Sequence, residues 1–304
     1  MSYVLPPNSE PSKILYIDSR DATNYLANLP SRDHDDGTIT NETLTSYFSY
    51  QLTEKIEIPL NQRALISLNS ATIPYSFYNI RHNINDTLTI RATRTDTNVS
   101  FQNTLIIESG NYTAYTLASV VENFINNSVQ EPANDIQYKI TITFDLDKGK
   151  YEYIMSSVED PTTKNYPPIT LTFIFNNGIG VSEELTPHIE LGFPAQTDFN
   201  ISIPASTVPN IVTPVRKYST NVVDVNGSIH GVYVRTNLVS NGTLDSQSGT
   251  FSSILSRVPI NVNAGGILFA TPNNAIHRSI VDLRYIDTLT IRLTDERNRL
   301  LDLN

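Results

Sequence analysis

Apolar side chains recur at every second position along most of this chain, and that spacing constrains the fold more than any other feature. In QYKITITFD, Tyr138, Ile140, Ile142 and Phe144 fall on one side of an extended chain while Lys139, Thr141 and Thr143 fall on the other. This is the pattern of a half-buried strand. DLDKGK then supplies turn residues and YEYIM returns, so residues 137–155 are predicted to form a hairpin. The same reading predicts strands at 13–18, 45–53, 63–73, 86–93, 99–107, 169–175, 229–239, 251–262, 266–270, 278–284 and 287–294. A chain with this many short strands is mainly β.

Two segments break the rhythm. Leu117, Val120, Val121 and Phe124 are spaced i, i+3, i+4 and i+7 behind Thr113, a suitable N-cap, which predicts a helix over about 114–126. In SEELTPHIELGF, Ser182 can cap a second, short helix, Glu183 and Glu184 suit its positive end, and Gly192 can end it. Residues 20–43, with SRDHDDG, read as a polar connector.

Composition removes several classes of function. The chain has no Cys, which excludes disulfides, thiolate catalysis and Cys-ligated metals. No apolar run reaches the length of a signal peptide or of a membrane span, so the expected product is neither secreted nor membrane-embedded. A formal net charge of −10, with basic residues only in isolated pairs such as Arg216-Lys217, argues against direct binding of nucleic acid. Asn-x-Ser/Thr triplets such as those at Asn41, Asn111 and Asn226 are expected by chance in a chain so rich in these residues.

Motifs that carry chemistry fail in detail. Gly178-Ile179-Gly180 follows a strand pattern as a dinucleotide-binding loop would, but Glu183 stands where the third glycine belongs and would repel a pyrophosphate. His34, His82, His188, His230 and His277 show no metal-ligand spacing. Asp33, Asp35 and Asp36 could attract calcium, yet Gly37 and Leu44 do not match an EF-hand loop, and a solvated acidic turn is expected. Adjacent carboxylates such as Asp295-Glu296 point to opposite faces of a strand and suit a strand-end turn better than acid-base catalysis. No residue is therefore assigned a catalytic, cofactor-binding or metal-binding role, and a non-enzymatic protein is expected.

Five segments occur in a recognisable order: YIDSRD near the start, LISLNSATIPYSFYNI at 65–80, ESGNYTAYTLASVVENF at 108–124, HIELGFP at 188–194, and LTIRLTDERNRLLDLN at the end. Together they resemble the penton, or minor capsid, proteins of virophages and polinton-like viruses. The resemblance implies a single jelly-roll β-sandwich of two antiparallel sheets with an inserted α+β subdomain. It also implies a homopentamer at the vertices of an icosahedral virion beside a double-jelly-roll major capsid protein, assembled in the host cytoplasm. On this basis residues 1–43 are an N-terminal arm and connector, 44–103 the first part of the jelly roll, 104–195 the insert with two short helices, and 196–304 the second part. Strands B, C and D fall at about 45–53, 63–73 and 86–93, and F to I in roughly the last eighty residues. The alternative is a β-sandwich that binds carbohydrate or a receptor, with Tyr75, Tyr78 and Tyr166 in loops as stacking platforms.

The hexapeptide DTLTIR occurs twice, at 86–91 and 287–292. With these assignments the copies fall in strands D and I, neighbours in the B-I-D-G sheet of a jelly roll. They are therefore expected side by side, with Leu88, Ile90, Leu289 and Ile291 inward.

Overall fold

The computed structural model describes residues 13–32, 39–134, 136–158, 167–175, 185–205, 214–227, 229–239, 243–245, 250–272 and 278–303. The acidic turn at 33–36, the glycine turn at 178–180, His277 and Tyr166 lie outside them. The fold is mainly β, consistent with a β-sandwich. Up to Tyr75 the strands are β1 (Asn24–Tyr25), β2 (Asn28–Arg32), β3 (Ile39–Thr43), β4 (Tyr47–Glu57), β5 (Leu65–Ile66) and β6 (Ala71–Pro74). Then follow β7 (Thr87–Arg94), β8 (Val99–Ile106), helix α1 (Ala114–Ser128), β9 (Tyr138–Asp145), β10 (Lys150–Ser157), β11 (Ile169–Ile174), β12 (Phe199–Ile203) and β13 (Val215–Tyr218). The last are β14 (Gly231–Thr236), β15 (Thr243–Asp245), β16 (Thr250–Ser252), β17 (Ile254–Pro259), β18 (Ile267–Ala270), β19 (Ser279–Ile280) and β20 (Tyr285–Thr294).

The chain divides into two compact units, Met1–Tyr75 with Gly231–Asn304, and Ser76–His230. We call them the framework and the insert. The insert is wider than the 104–195 expected from sequence, because β7 and β8 on one side and β12 and β13 on the other pair with its own strands. Two sheets build it, in the orders β12-β11-β7-β8 and β13-β10-β9. The predicted hairpin is β9 and β10, in register from Lys150 opposite Asp145 to Ser157 opposite Tyr138.

Helix α1 starts where Thr113 predicts. The Thr113 hydroxyl accepts from Thr116 N at 3.2 Å, and Thr116 Oγ1 accepts from Thr113 N at 2.9 Å, a reciprocal cap. Leu117, Val121 and Ile125 are buried. The opposite contribution of α1 is polar: Asn126 bonds both N and O of Ile140, at 3.0 and 2.8 Å, and Glu122 accepts from Ile142 N at 2.7 Å. These side chains satisfy backbone groups on the open edge of β9 and so block further strand pairing there.

The expected start of the second helix, at Ser182 to Glu184, lies outside the described residues; the segment that follows forms a bonded turn. Leu191 N donates to Pro187 O and Phe193 N to His188 O, and Gly192 ends the turn at φ +76°. A Cβ there would lie 2.7 Å from Asn221 O, which is why only glycine fits.

The framework holds a five-stranded antiparallel sheet in the order β1-β4-β20-β14-β17, and two-stranded ladders β15-β16, β6-β18, β5-β19 and β2-β3. Residues 20–43, read as a connector, thus contain the β2-β3 hairpin. The expected strand at 63–73 is two short strands, β5 and β6.

The expected pairing of the hexapeptides is overturned. The first copy lies in β7, between β11 and β8 of the insert, and the second in β20, between β4 and β14 of the framework. Both copies obey the same face rule locally, with Leu88, Ile90 and Leu289 buried. Ile291 is only half-buried, beyond a register shift between Ile286 and Thr288. A period of two fixes which side of a strand faces inward and is silent about its neighbour.

Candidate interaction surface

Among the described residues, those singled out for chemistry do not converge. His82 Nδ1 bonds Asp86 Oδ2 at 2.7 Å, His230 Nε2 bonds Asp224 Oδ2 at 2.7 Å, and His188 sits against Thr186. Asp295 is buried and accepts from Arg297 N, Arg299 N and Arg299 Nε, the bonding of a strand-end turn after β20. Glu296 instead faces Arg257, 3.7 Å away. Tyr75, offered as a stacking platform, is only 5% exposed and belongs to the framework core; Tyr78 is partly exposed.

One polar group that the sequence reading missed is Glu190. It is buried at the end of the bonded turn, where Oε1 accepts from Asn85 Nδ2 at 2.5 Å. Asn85 in turn donates to Asn79 O and accepts from Arg81 N, tying the 79–86 loop together. Gly227, at φ +59°, packs its Cα against the carboxyl, and a Cβ would overlap Oε1. Burial raises the Glu190 pKa to about 7; Asp224 adds to the rise, while Asn85 and Arg81 oppose it. No sequence motif marks such a residue, because its partners come from 105 positions away.

The exposed apolar residues gather elsewhere. Twelve of the eighteen large apolar side chains exposed among the described residues belong to the framework. On the β6-β18 ladder, Leu268 opposite Ile73 points inward, while Ile267 and Phe269, each 62% exposed, point outward opposite Pro74 and Thr72. Tyr75 N donating to Gly266 O and Gly265 N donating to Tyr75 O close this ladder. Leu65 and Ile280 face each other, both exposed, on the β5-β19 ladder. Nearby, residues 58–63 and 281–284 line an open groove with Leu60 and Leu283 on its rim.

The N-terminal segment adds a second apolar feature. Residues 13–18, predicted as a strand, join no ladder among the described residues. Ile14 and Tyr16 are 78% and 86% exposed. Only the root is fixed: Ile17 packs on the cluster of Leu238, Val239 and Val281, and Asp18 accepts from Arg20 N at 2.9 Å and Nε at 3.0 Å. The hydrogen bonds from Arg20 hold the Asp18 carboxyl down at about 2. Exposed apolar patches of this kind are candidate interaction sites.

Residue types follow the same division. The framework has ten Arg and two Lys, the insert four Arg and five Lys. Arg is enriched and Lys depleted where proteins meet. The framework also carries the smaller net charge, with 15 acidic and 12 basic residues, against 16 and nine in the insert.

No protein-family model matches the chain, and no curated protein sequence does. Among solved structures, the crystal structure of the mavirus penton protein is similar over 85% of this chain and 86% of its own, at 12% identity and a TM-score of 0.41. That score is too low to establish a common fold. Among the described residues no helix is long and apolar enough to cross a membrane.

Proposed function

We propose that this chain is a structural capsid protein that forms the pentameric vertex of an icosahedral virion, beside a double-jelly-roll major capsid protein, and that it acts through shape rather than catalysis. The observation that carries the reading is the strand order of the framework. β4, β20, β14 and β17 follow one another as B, I, D and G do in a jelly roll, with the last strand between the first and the third. β5 and β6 then stand for C, β19 and β18 for H, and β15 and β16 for the adjacent E and F. In this reading the insert joins C to D, between Tyr75 and Gly231, and strand D is β14 rather than residues 86–93.

The order of sequence segments that resembles virophage pentons supports the same reading, as does an exposed apolar framework rich in Arg. The deciding experiment is native mass spectrometry and electron microscopy of the protein co-expressed with a candidate major capsid protein. Closed shells that carry the chain at their vertices are expected. A monomer that never enters shells would reject the reading.

A further inference from the structure

A chain with a net charge of −10 repels its own copies at long range, so a contact between copies favours surface with little charge. The longest run without Asp, Glu, Lys or Arg is residues 258–277, and it contains β18. Its ladder partner β6 lies within 64–80, which is also free of those residues. The β6-β18 ladder is thus built from uncharged sequence on both strands, and it presents Ile267 and Phe269 outward.

The second feature is the segment before Ile17. Its composition is that of a strand, and it joins no ladder among the described residues. Ile14 and Tyr16 stand two residues apart, as do Ile267 and Phe269. A segment docked as a strand repeats that spacing every ~6.8 Å, the pitch at which β18 presents Ile267 and Phe269. Two different complementary patches on one chain are what a head-to-tail ring requires, whereas a twofold dimer would need one self-complementary patch.

We infer that residues 14–16 of one copy lie on the β6-β18 face of a second copy, with Ile14 and Tyr16 against Ile267 and Phe269. The inference rests on the assembly reading of the framework and names its contact. The pinned root at Ile17 to Arg20 holds the arm in place for the neighbour and lowers the entropy lost on docking.

The test uses the full chain with Phe269→Glu, the pair Ile14→Asp and Tyr16→Asp, and all three together. Sedimentation velocity over a concentration series should show self-association weakened by about tenfold or more in each variant. The triple variant should be scarcely weaker than either alone, because both lesions remove one contact. Circular dichroism checks folding; should a charged variant unfold, Phe269→Ser and Tyr16→Ser take its place. A photo-crosslinking residue at position 16, in a mixture of isotopically light and heavy protein, should yield light-to-heavy adducts on residues 262–272. Adducts within one copy or elsewhere, variants that associate like wild type, or a wild type that stays monomeric would each overturn the contact. If such a protein still enters shells with the major capsid protein, the capsid reading stands and only this contact falls.

Discussion

The insert and the framework are close in length and use their apolar residues in opposite ways. In the insert, Tyr153, Phe173, Phe193 and Phe199 form one cluster, with ring centroids 4.6 to 6.1 Å apart, and the side chains of α1 close the edge of β9. In the framework, Ile267 and Phe269 face outward, and residues 13–18 join no ladder among the described residues. The insert completes its own interior, while the framework has apolar surface to give to a neighbour. The difference teaches that one chain can enclose the apolar side chains of one unit and leave those of another exposed.

The largest effect that could break this comparison is truncation of an aromatic in each unit. Phe173→Ala should lose about 3–5 kcal/mol in chemical denaturation, since the ring is fully buried and leaves a cavity. Phe269→Ala should change monomer stability by less than about 0.5 kcal/mol. Comparable losses at the two sites would show that the ladder face is covered within its own chain.

Acidity offers a second handle, confined to the insert. The Glu190 carboxyl titrates at about 7 when folded, against an ordinary 4.5. Between those values the folded chain keeps a proton that the unfolded chain has lost, so stability is full below pH 4.5 and declines as pH rises through 7. The decline amounts to about 3 kcal/mol at most. Glu190→Gln keeps an acceptor for Asn85 and should remove this slope, making the variant the more stable protein at pH 8. Denaturation midpoints at pH 5 and pH 8 measure both; an unchanged slope would place the titrating group elsewhere.

Removing the helix cap should cost less. Thr113→Ala deletes the acceptor for Thr116 N and should destabilise the insert by about 1 kcal/mol. A further small effect is expected at Tyr153, whose fully buried hydroxyl has no hydrogen-bond partner among the described residues. Tyr153→Phe should be neutral or stabilising by up to about 1 kcal/mol, because it removes an unsatisfied polar group. A clear loss would reveal a partner for that hydroxyl.

What the sequence made legible was local. The β9-β10 hairpin and α1 each follow from a few consecutive residues: an alternating run around DLDKGK, and Thr113 ahead of a helical stripe. The face of each DTLTIR copy was legible for the same reason. Pairing was not, because β7 and β20 present the same alternation and only distant partners, β11 in one case and β4 in the other, tell them apart. The extent of the insert was hidden likewise, since β7 and β14 both read as plausible jelly-roll strands. The surface site was half legible: residues 13–18 have the composition of a strand, but that they join no ladder among the described residues is a fact of three-dimensional pairing. Glu190 was invisible, since its burial depends on Asn85 and Gly227.

The β4-β20 ladder sets Phe48 opposite Ile291, so the two strands that centre the framework sheet are joined only after nearly the whole chain has been made. Closing so long a loop is entropically costly, and non-local pairing is slow. The insert, whose partners are nearer in sequence, can fold first and draw its flanks out of the random chain. Synthesis would then pass through a state with a finished insert and unpaired framework strands, and refolding should show two phases, the faster one reported by the aromatic cluster around Tyr153.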